Sequence, residues 1–524
     1  MESLTDTPWD VTISGTGLAQ SLLALALSRS GKKVLHVDKN PYYGGAETAF
    51  SLQEAEEWVE ELKQGCVPGI ADDAHGPEPG RAPYEDVSVH SPPAAPDSPT
   101  KLAKSRAYTL SLSPQLIYSR SKLLPTLVSS KVYRQLEFQA VGSWWIYRSS
   151  ETSVLDRVPS SREDVFSDDN ISLRSKRSLM KLLRHVTRTP QDEGVANETE
   201  DLDLPFADYL TSRFNIPSEL QYPLLSLSLS QSAPQQASAS YVIPRIQRHL
   251  ASIGVFGAGF GSVLAKYGGG SEISQVGCRA LAVGGGVYVL NRGIQYIEAP
   301  QDAKGDTSQH SRLLVKLTDG EEVRSAFVVG SRWDLPEAAD SVSYHKVARS
   351  INVVSSPLED LFPPTSDGGP IPAGAVVLIP GNVLSKREDA PPVYLIVHSS
   401  ETGECPVGQC VIYGSVSLPG AEGQEILDSA IQRLLQSVRN EAGASVLWSL
   451  RFTQLGRADD GSADPIPSAA GRVIRFPPPS LDLAFDDATI DAVQKVWKMV
   501  LGDEARDESF MQFEDREGAG DDEK

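Results

Sequence analysis

The chain is poor in cysteine, in histidine and in positive charge. Its four cysteines, Cys66, Cys278, Cys405 and Cys410, are spread over 524 residues. That is too few and too scattered for a disulfide framework, and Cys405 and Cys410 lack the spacing of zinc ligands. Such usage fits a reducing compartment. The eight histidines are dispersed, and there is no G-x-S-x-G elbow, no H-E-x-x-H, no P-loop and no His/Cys cluster. Nucleophilic and metal-based catalysis therefore have no local signature, which favours a binding protein, although catalytic groups can also assemble from distant positions. No apolar run approaches the ~20 residues that span a bilayer. The opening MESLTDTPWD has neither the basic stretch nor the apolar core of a secretory signal. Against 69 acidic residues stand 48 basic ones, a formal charge of −21. This balance repels nucleic acid and anionic membrane, so a basic or neutral partner and a cytoplasmic location are expected.

What is present begins at Val11. Val11–Ser14 reads as a short buried strand, Gly15 and Gly17 permit a tight turn, and Leu18–Ser30 has the length and apolar spacing of a helix ended by Gly31. A second strand, Lys33–Val37, delivers Asp38 about twenty residues past the glycines, where a dinucleotide's ribose would be held. The third fingerprint position departs from the rule. It is Gln20, where glycine normally lets helix and strand pack beside a pyrophosphate. Gly44 and Gly45 lead to Ala46 and Glu47, not to an arginine that could meet phosphate, and an acid there would repel it. The pattern thus predicts a dinucleotide fold with a degenerate site (Gly15, Gly17, Gln20, Asp38) and no bound cofactor. His36, inside the second strand, reads as a packed core residue rather than a catalytic base.

A length of 524 residues allows two to four units at roughly 100–200 residues each. Residues 67–104, with HGPEPGRAPYED and SPPAAPDSPT, read as a disordered insertion, and Thr187–Asp203 as a shorter linker. Helices are expected at Arg174–Val186, Phe206–Phe214 and Leu220–Leu229, defining a helical unit over 159–250. Leu313–Val329 reads as two strands joined at Asp319-Gly320. Leu427, Ile431, Leu434, Leu435 and Val438 share one helix face. The larger α/β unit is therefore discontinuous: 1–66, 105–158 and 251–500. Ten acidic residues between Asp503 and Glu523 make 501–524 a solvated acidic tail. The neighbouring acids Glu163 and Asp164, and Asp168 and Asp169, read as solvated surface rather than acid/base pairs.

SGTGLAQSLLALALSRSGKKVLHVDKNPYYGG and a second block, YGGGSEISQVGCRALAVGGGVYVLN at Tyr267–Asn291, together resemble the superfamily of Rab escort proteins and Rab GDP-dissociation inhibitors. The second block carries one extra residue among the glycines before Glu272. Gly284–Gly286 departs from the family pattern in having a third glycine and no aromatic. The resemblance covers most of the chain outside the insertion and the tail. It implies a flavin-monooxygenase-like, GDI-type multi-sheet α/β fold with an inserted all-helical domain, working without flavin. It also implies a platform for GDP-bound Rab GTPases: Tyr43 as aromatic anchor, Glu272 and Arg279 as polar contacts, Val287 and Val289 as apolar ones. Such a mix suits a protein interface. Spacing alone leaves a second reading open, because Glu272 and Arg279, seven apart, could also share a helix face as a solvated pair.

Ser161–Leu183, SREDVFSDDNISLRSKRSLMKLL, resembles the escort proteins' segment for the Rab geranylgeranyltransferase α/β heterodimer, with Phe166 and Arg177 on its anchor positions. The inhibitors resemble the chain less there and lack the long insertion. The resemblance thus implies a non-catalytic escort protein that presents unprenylated Rab to the transferase, holds the geranylgeranyl product and delivers it transiently to membranes. The alternatives are a GDP-dissociation inhibitor and, further off, a flavin-dependent oxidoreductase.

Overall fold

In the computed structural model the described residues are 4–64, 82–92, 101–148, 154–159, 162–168, 171–187, 202–257, 259–298, 312–336, 344–365, 369–385, 387, 389–438, 443–457 and 467–513. Strand Pro8–Ser14 lies parallel to Val34–Val37 on one side and to Glu322–Gly330 on the other. Val287–Val289 adds a parallel edge beside Val34–Val37. The expected hairpin is present: Leu313–Leu317 pairs antiparallel with Glu322–Gly330, and Gly320 at the turn takes φ +90°, a backbone region open to glycine.

Helix Leu18–Arg29 covers one face of this sheet. Leu22, Leu23, Leu25 and Leu27 are fully buried, because helix Gly270–Val283 and helix Ala488–Leu501 enclose the sides that the sheet does not. Each such leucine contributes about 1.5–3 kcal/mol relative to exposure.

A second, ten-stranded sheet is mainly antiparallel and is built around His345–Val354, Cys410–Val416, Val393–Ser399, Gly374–Ile379 and Phe138–Arg148. Helix Gly420–Ser437 packs Leu427, Ile431 and Leu434 onto one face, as their spacing predicts. The other face carries the helical unit: Arg162–Ser167, Leu173–Val186, Phe206–Phe214, Gln221–Ser228 and Ala239–Ser252. The mixed α/β, multi-sheet reading with a helical block is what is observed.

The helical unit shares its core with the sheet, Leu224, Leu225 and Val242 falling in one cluster with Ile351, Val376 and Tyr394. Two expectations need correction. The expected insertion at 67–104 contains a strand, Tyr84–His90, whose alternating Tyr84, Val87 and Val89 pack on that cluster while its backbone pairs with Val446–Gly456. Residues 67–81 and 93–100 of that insertion, with Cys66 and most of the Thr187–Asp203 linker, lie outside the described residues. The acidic tail is not solvated from its start. Met511 is buried, Phe510 and Phe513 pack beside it, and the Phe513 N–H donates to Ser129 O. Charge counting hid three apolar side chains among the acids.

Candidate functional site

The first helix presents its N-terminus, with free backbone N–H groups and the positive end of its dipole, where a dinucleotide fold would place an anion. Here the chain fills that position itself. Glu47 Oε2 accepts from the Leu18 N–H at 3.1 Å. Gly45, at φ +53°, brings the Gly44–Glu47 turn down onto the helix start, so close that a Cβ there would lie 3.0 Å from Gly17 N. Asp334, from the end of the third central strand, lies over Gly15, where a Cβ would come within 2.4 Å of its carboxylate. Gln20 Nε2 donates to the same carboxylate at 3.1 Å, which is the role of the long side chain at the broken fingerprint position.

Asp38 is also turned inward. Its Oδ2 accepts from Thr16 N (2.7 Å) and Thr16 Oγ1 (2.6 Å), and its Oδ1 from Asn40 N (2.8 Å). Burial, reinforced by the Asp334 charge, pushes the Asp38 carboxyl up to about 6. Burial pushes Glu47 up to about 7 against the opposing Leu18 N–H. Three carboxylates converging on the helix start would repel a diphosphate, and one of them already occupies its donor. The dinucleotide cofactor that such folds imply does not fit these residues. A cavity of about 160 Å³ opens onto these same residues, lined by Gly15, Gly17, Gln20, Glu47 and Asp334 and walled further out by Tyr42, Trp58, Tyr84, Trp333 and Phe476. His36 is buried with Nε2 2.6 Å from Gly15 O, and burial lowers it to about 4. It is a neutral core residue, as read, although its Nδ1 has no partner.

Beside this site, Tyr43 is half-buried. Its hydroxyl lies 3.1 Å from Ser21 Oγ, and its ring meets His36 and Tyr288 edge-on at 6.1 and 6.3 Å. Strand alternation decides which residues of Val287–Val289 join it. Tyr288, in register with His36, faces Tyr43, whereas Val287 and Val289 register with Leu35 and Val37 and point to the opposite face, where Val289 packs. The sequence reading named the two valines, of which Val287 is itself 37% exposed, and did not name the exposed Tyr288 between them, which period-2 alternation could have singled out. On helix Gly270–Val283, Ile273, Val276 and Leu281 point inward, leaving Glu272 and Arg279 on the surface. There Arg279 Nη2 donates to Glu272 Oε1 at 2.8 Å. As a half-exposed ion pair this adds at most about 1 kcal/mol to stability, so the fold does not depend on it.

Phe166 ends the short helix Arg162–Ser167 and is 60% exposed; it is not a core aromatic. Its carbonyl accepts from the buried ammonium of Lys176 at 2.7 Å. Lys176 belongs to helix Leu173–Val186, which starts where Ser172 Oγ accepts from the Ser175 N–H at 3.1 Å. Arg177, next in sequence, is exposed. Asp164 is exposed and Asp168 partly buried; the side chains of Glu163 and Asp169 lie outside the described residues. Among the described residues no His/Cys/Asp/Glu group could hold a metal, Cys278, Cys405 and Cys410 are buried free thiols, and no helix is long and apolar enough to cross a membrane.

A dinucleotide-type α/β scaffold whose phosphate position is closed by its own carboxylates, carrying a surface aromatic platform, defines a class of protein that keeps an oxidoreductase-like architecture. The model of the GDI (GDP dissociation inhibitor) family matches residues 5–66 and 90–444, so the chain belongs to that family. The unmatched gap falls in the insertion read from composition.

Relatives include the "Rab proteins geranylgeranyltransferase component A" of Saccharomyces cerevisiae, 27% identical over 85% of this chain and 68% of that protein. The component A protein of Drosophila melanogaster is 28% identical over 94% and 88%. Among solved structures, the Rab GDI of Plasmodium falciparum superposes with a TM-score of 0.62 at 17% identity, covering 94% of this chain and 98% of that one. An oxidoreductase from Methanosarcina mazei reaches 0.55 at 12% identity, covering 93% and 99%. These structural likenesses are likenesses of fold.

Proposed function

We propose that the protein is a Rab escort protein: it binds GDP-bound, unprenylated Rab GTPases and presents them to the Rab geranylgeranyltransferase α/β heterodimer. The observation that carries this reading is Phe166, a large exposed aromatic whose own backbone carbonyl accepts from a buried lysine, in a chain whose relatives are named component A of that transferase. An exposed aromatic with a fixed backbone is a low-entropy anchor for a partner's pocket.

In this reading the Rab platform comprises Tyr43, Glu272 and Arg279, with Tyr288 beside Tyr43. Arg279 exchanges its intramolecular partner for one on Rab, and Val287, itself 37% exposed, and Val289 supply the apolar contacts. Phe166 and Arg177 make the transferase contact. The chain itself performs no bond chemistry, works in the cytoplasm, and carries prenylated Rab to membranes.

The lipid needs an apolar recess. The recess of about 230 Å³ where the helical unit meets the second sheet has a mixed lining, Ile146, Val158, Ile171 and Leu220 facing Arg148, Asp156, Arg157 and Asp168, so only its apolar side suits isoprenoid carbon. Burying isoprenoid carbon there stabilises by ~0.8 kcal/mol per CH₂.

A second reading, a GDP-dissociation inhibitor that recycles prenylated Rab, is favoured by the family model and by a relative named Rab GDP-dissociation inhibitor. Titration calorimetry with unprenylated Rab tests the choice. An escort protein binds the GDP form without any lipid, in preference to the GTP form; a chain that binds only prenylated Rab is an inhibitor.

A further inference from the structure

The place where a dinucleotide's phosphates would lie is acidic. Asp334 sits over Gly15 and Glu47 over Gly17, where a Cβ would come within 3.2 Å of Glu47 Oε2. Gln20 Nε2, Ser331 N and Ser331 Oγ all donate to Asp334 Oδ2, which leaves Oδ1 without a hydrogen bond among the described residues. The cavity of about 160 Å³ that opens onto this turn is bordered by four carboxylates, Glu47, Glu61, Asp334 and Asp486, against two cations, Lys39 and Arg457. Both cations are engaged: Lys39 Nζ donates to Trp333 O at 2.6 Å, and Arg457 pairs with Asp486. The negative excess therefore rests on Glu47, Glu61 and Asp334.

The outer walls are aromatic: Tyr42, Trp58, Tyr84, Trp333 and Phe476. Trp58 and Tyr84 meet almost at right angles with centroids 5.1 Å apart, so the wall offers ring faces as well as edges. Ring faces are negative and attract cations. A bare metal ion is disfavoured, because among the described residues no group of three His, Cys, Asp or Glu side chains could hold one. The volume is close to the ~150 Å³ that accommodates benzene in an engineered cavity, so one ring with a short arm fills it.

We propose that this cavity binds a small organic ammonium ion of the arylalkylamine class, its –NH₃⁺ held by the Glu47 and Asp334 carboxylates and its ring by the aromatic wall. A protonated amine brings three donors and no acceptor, which suits Asp334 Oδ1 and the Glu47 carboxylate, and charge-assisted bonds of this kind are strong when shielded from water. The same charges that repel a diphosphate select a cation. None of Tyr43, Tyr288, Glu272, Arg279, Phe166 and Arg177 lines the cavity, so the ligand site is separate from both protein contacts of the escort reading and goes beyond it.

The test is titration calorimetry on the full chain at about pH 8, above the value of about 7 to which burial raises Glu47, so that the carboxylate is charged. Three probes share one shape and differ in charge: phenethylammonium, phenethyl alcohol and phenylacetate. Flavin adenine dinucleotide is the fourth. Phenethylammonium should bind saturably, the alcohol on the order of tenfold more weakly, and the two anions not at all. Glu47→Gln, which keeps an oxygen for the Leu18 N–H, should weaken the ammonium about tenfold and leave the alcohol unchanged. Trp333→Leu, at a partly exposed position, should weaken both. Circular dichroism and melting curves verify that each variant is folded.

Wild-type protein that fails to bind phenethylammonium at millimolar concentration overturns the proposal. So does equal affinity for the alcohol or phenylacetate, and binding of the flavin dinucleotide returns the cavity to the cofactor. Ammonium binding that Glu47→Gln leaves unchanged lies elsewhere on the chain and also overturns it. Each of these results leaves Rab-GDP and transferase binding, and with them the escort reading, untouched.

Discussion

Replacing Glu47 by glutamine probes the self-filled helix start directly. The Glu47 carboxyl is raised by burial from an ordinary 4.5 to about 7. Between those pH values the folded chain holds a proton on Glu47 that the unfolded chain releases, so stability falls as pH rises through the window. The cost is absent below about 4.5 and complete above about 7, and the difference corresponds to about 3 kcal/mol. Glutamine retains an oxygen for the Leu18 N–H but cannot ionise.

Glu47→Gln should therefore match wild type near pH 4.5 and exceed it by up to about 3 kcal/mol at pH 8. Asp38, raised to about 6 by burial and Asp334, titrates in both proteins and largely cancels in the comparison. Equilibrium urea unfolding of the pair at several pH values is the assay. A wild-type-minus-variant difference that stays flat across this range would refute the account of Glu47 as a partly buried acid on the helix terminus.

Two further substitutions address the contact surfaces. Arg279→Ala should weaken Rab-GDP binding by about 1–4 kcal/mol, as truncating an interface arginine leaves its partner unpaired. Its thermal midpoint should barely move, since the Glu272 pair is half-exposed; calorimetric binding and a melting curve on one sample check both. Lys176→Met removes the ammonium that holds the Phe166 carbonyl and fills much of the same space. It should lower transferase affinity, measured by surface plasmon resonance, without altering Rab-GDP affinity, and Lys176→Arg should restore part of the loss.

Much of this was legible because period and punctuation are local. The Gly15/Gly17 turn, the helix ended by Gly31 and the hairpin at Gly320 follow from backbone freedom and alternation within a few residues. The degenerate fingerprint was legible at Gln20 and Glu47, but not its mechanism, because Asp334 arrives from more than 300 residues away. Tyr288 escaped because the resemblance named its neighbours, and the face of an edge strand is settled only by its register with His36. Lys176 looked like one more cation in a basic helix; burial against the end of the preceding helix, a tertiary event, makes it the anchor of Phe166.

The central claim is tested most directly by reconstituted prenylation with purified GDP-bound Rab, transferase and geranylgeranyl donor. Wild-type protein should support transfer. Phe166→Ala, having lost a ring whose burial supplies about 3 kcal/mol, should need roughly a hundredfold higher concentration while binding Rab-GDP as before. Wild-type protein that binds Rab-GDP yet never supports transfer would contradict the escort function and leave the inhibitor reading in its place. A Phe166→Ala variant as active as wild type at limiting concentration would move the transferase contact elsewhere on the surface.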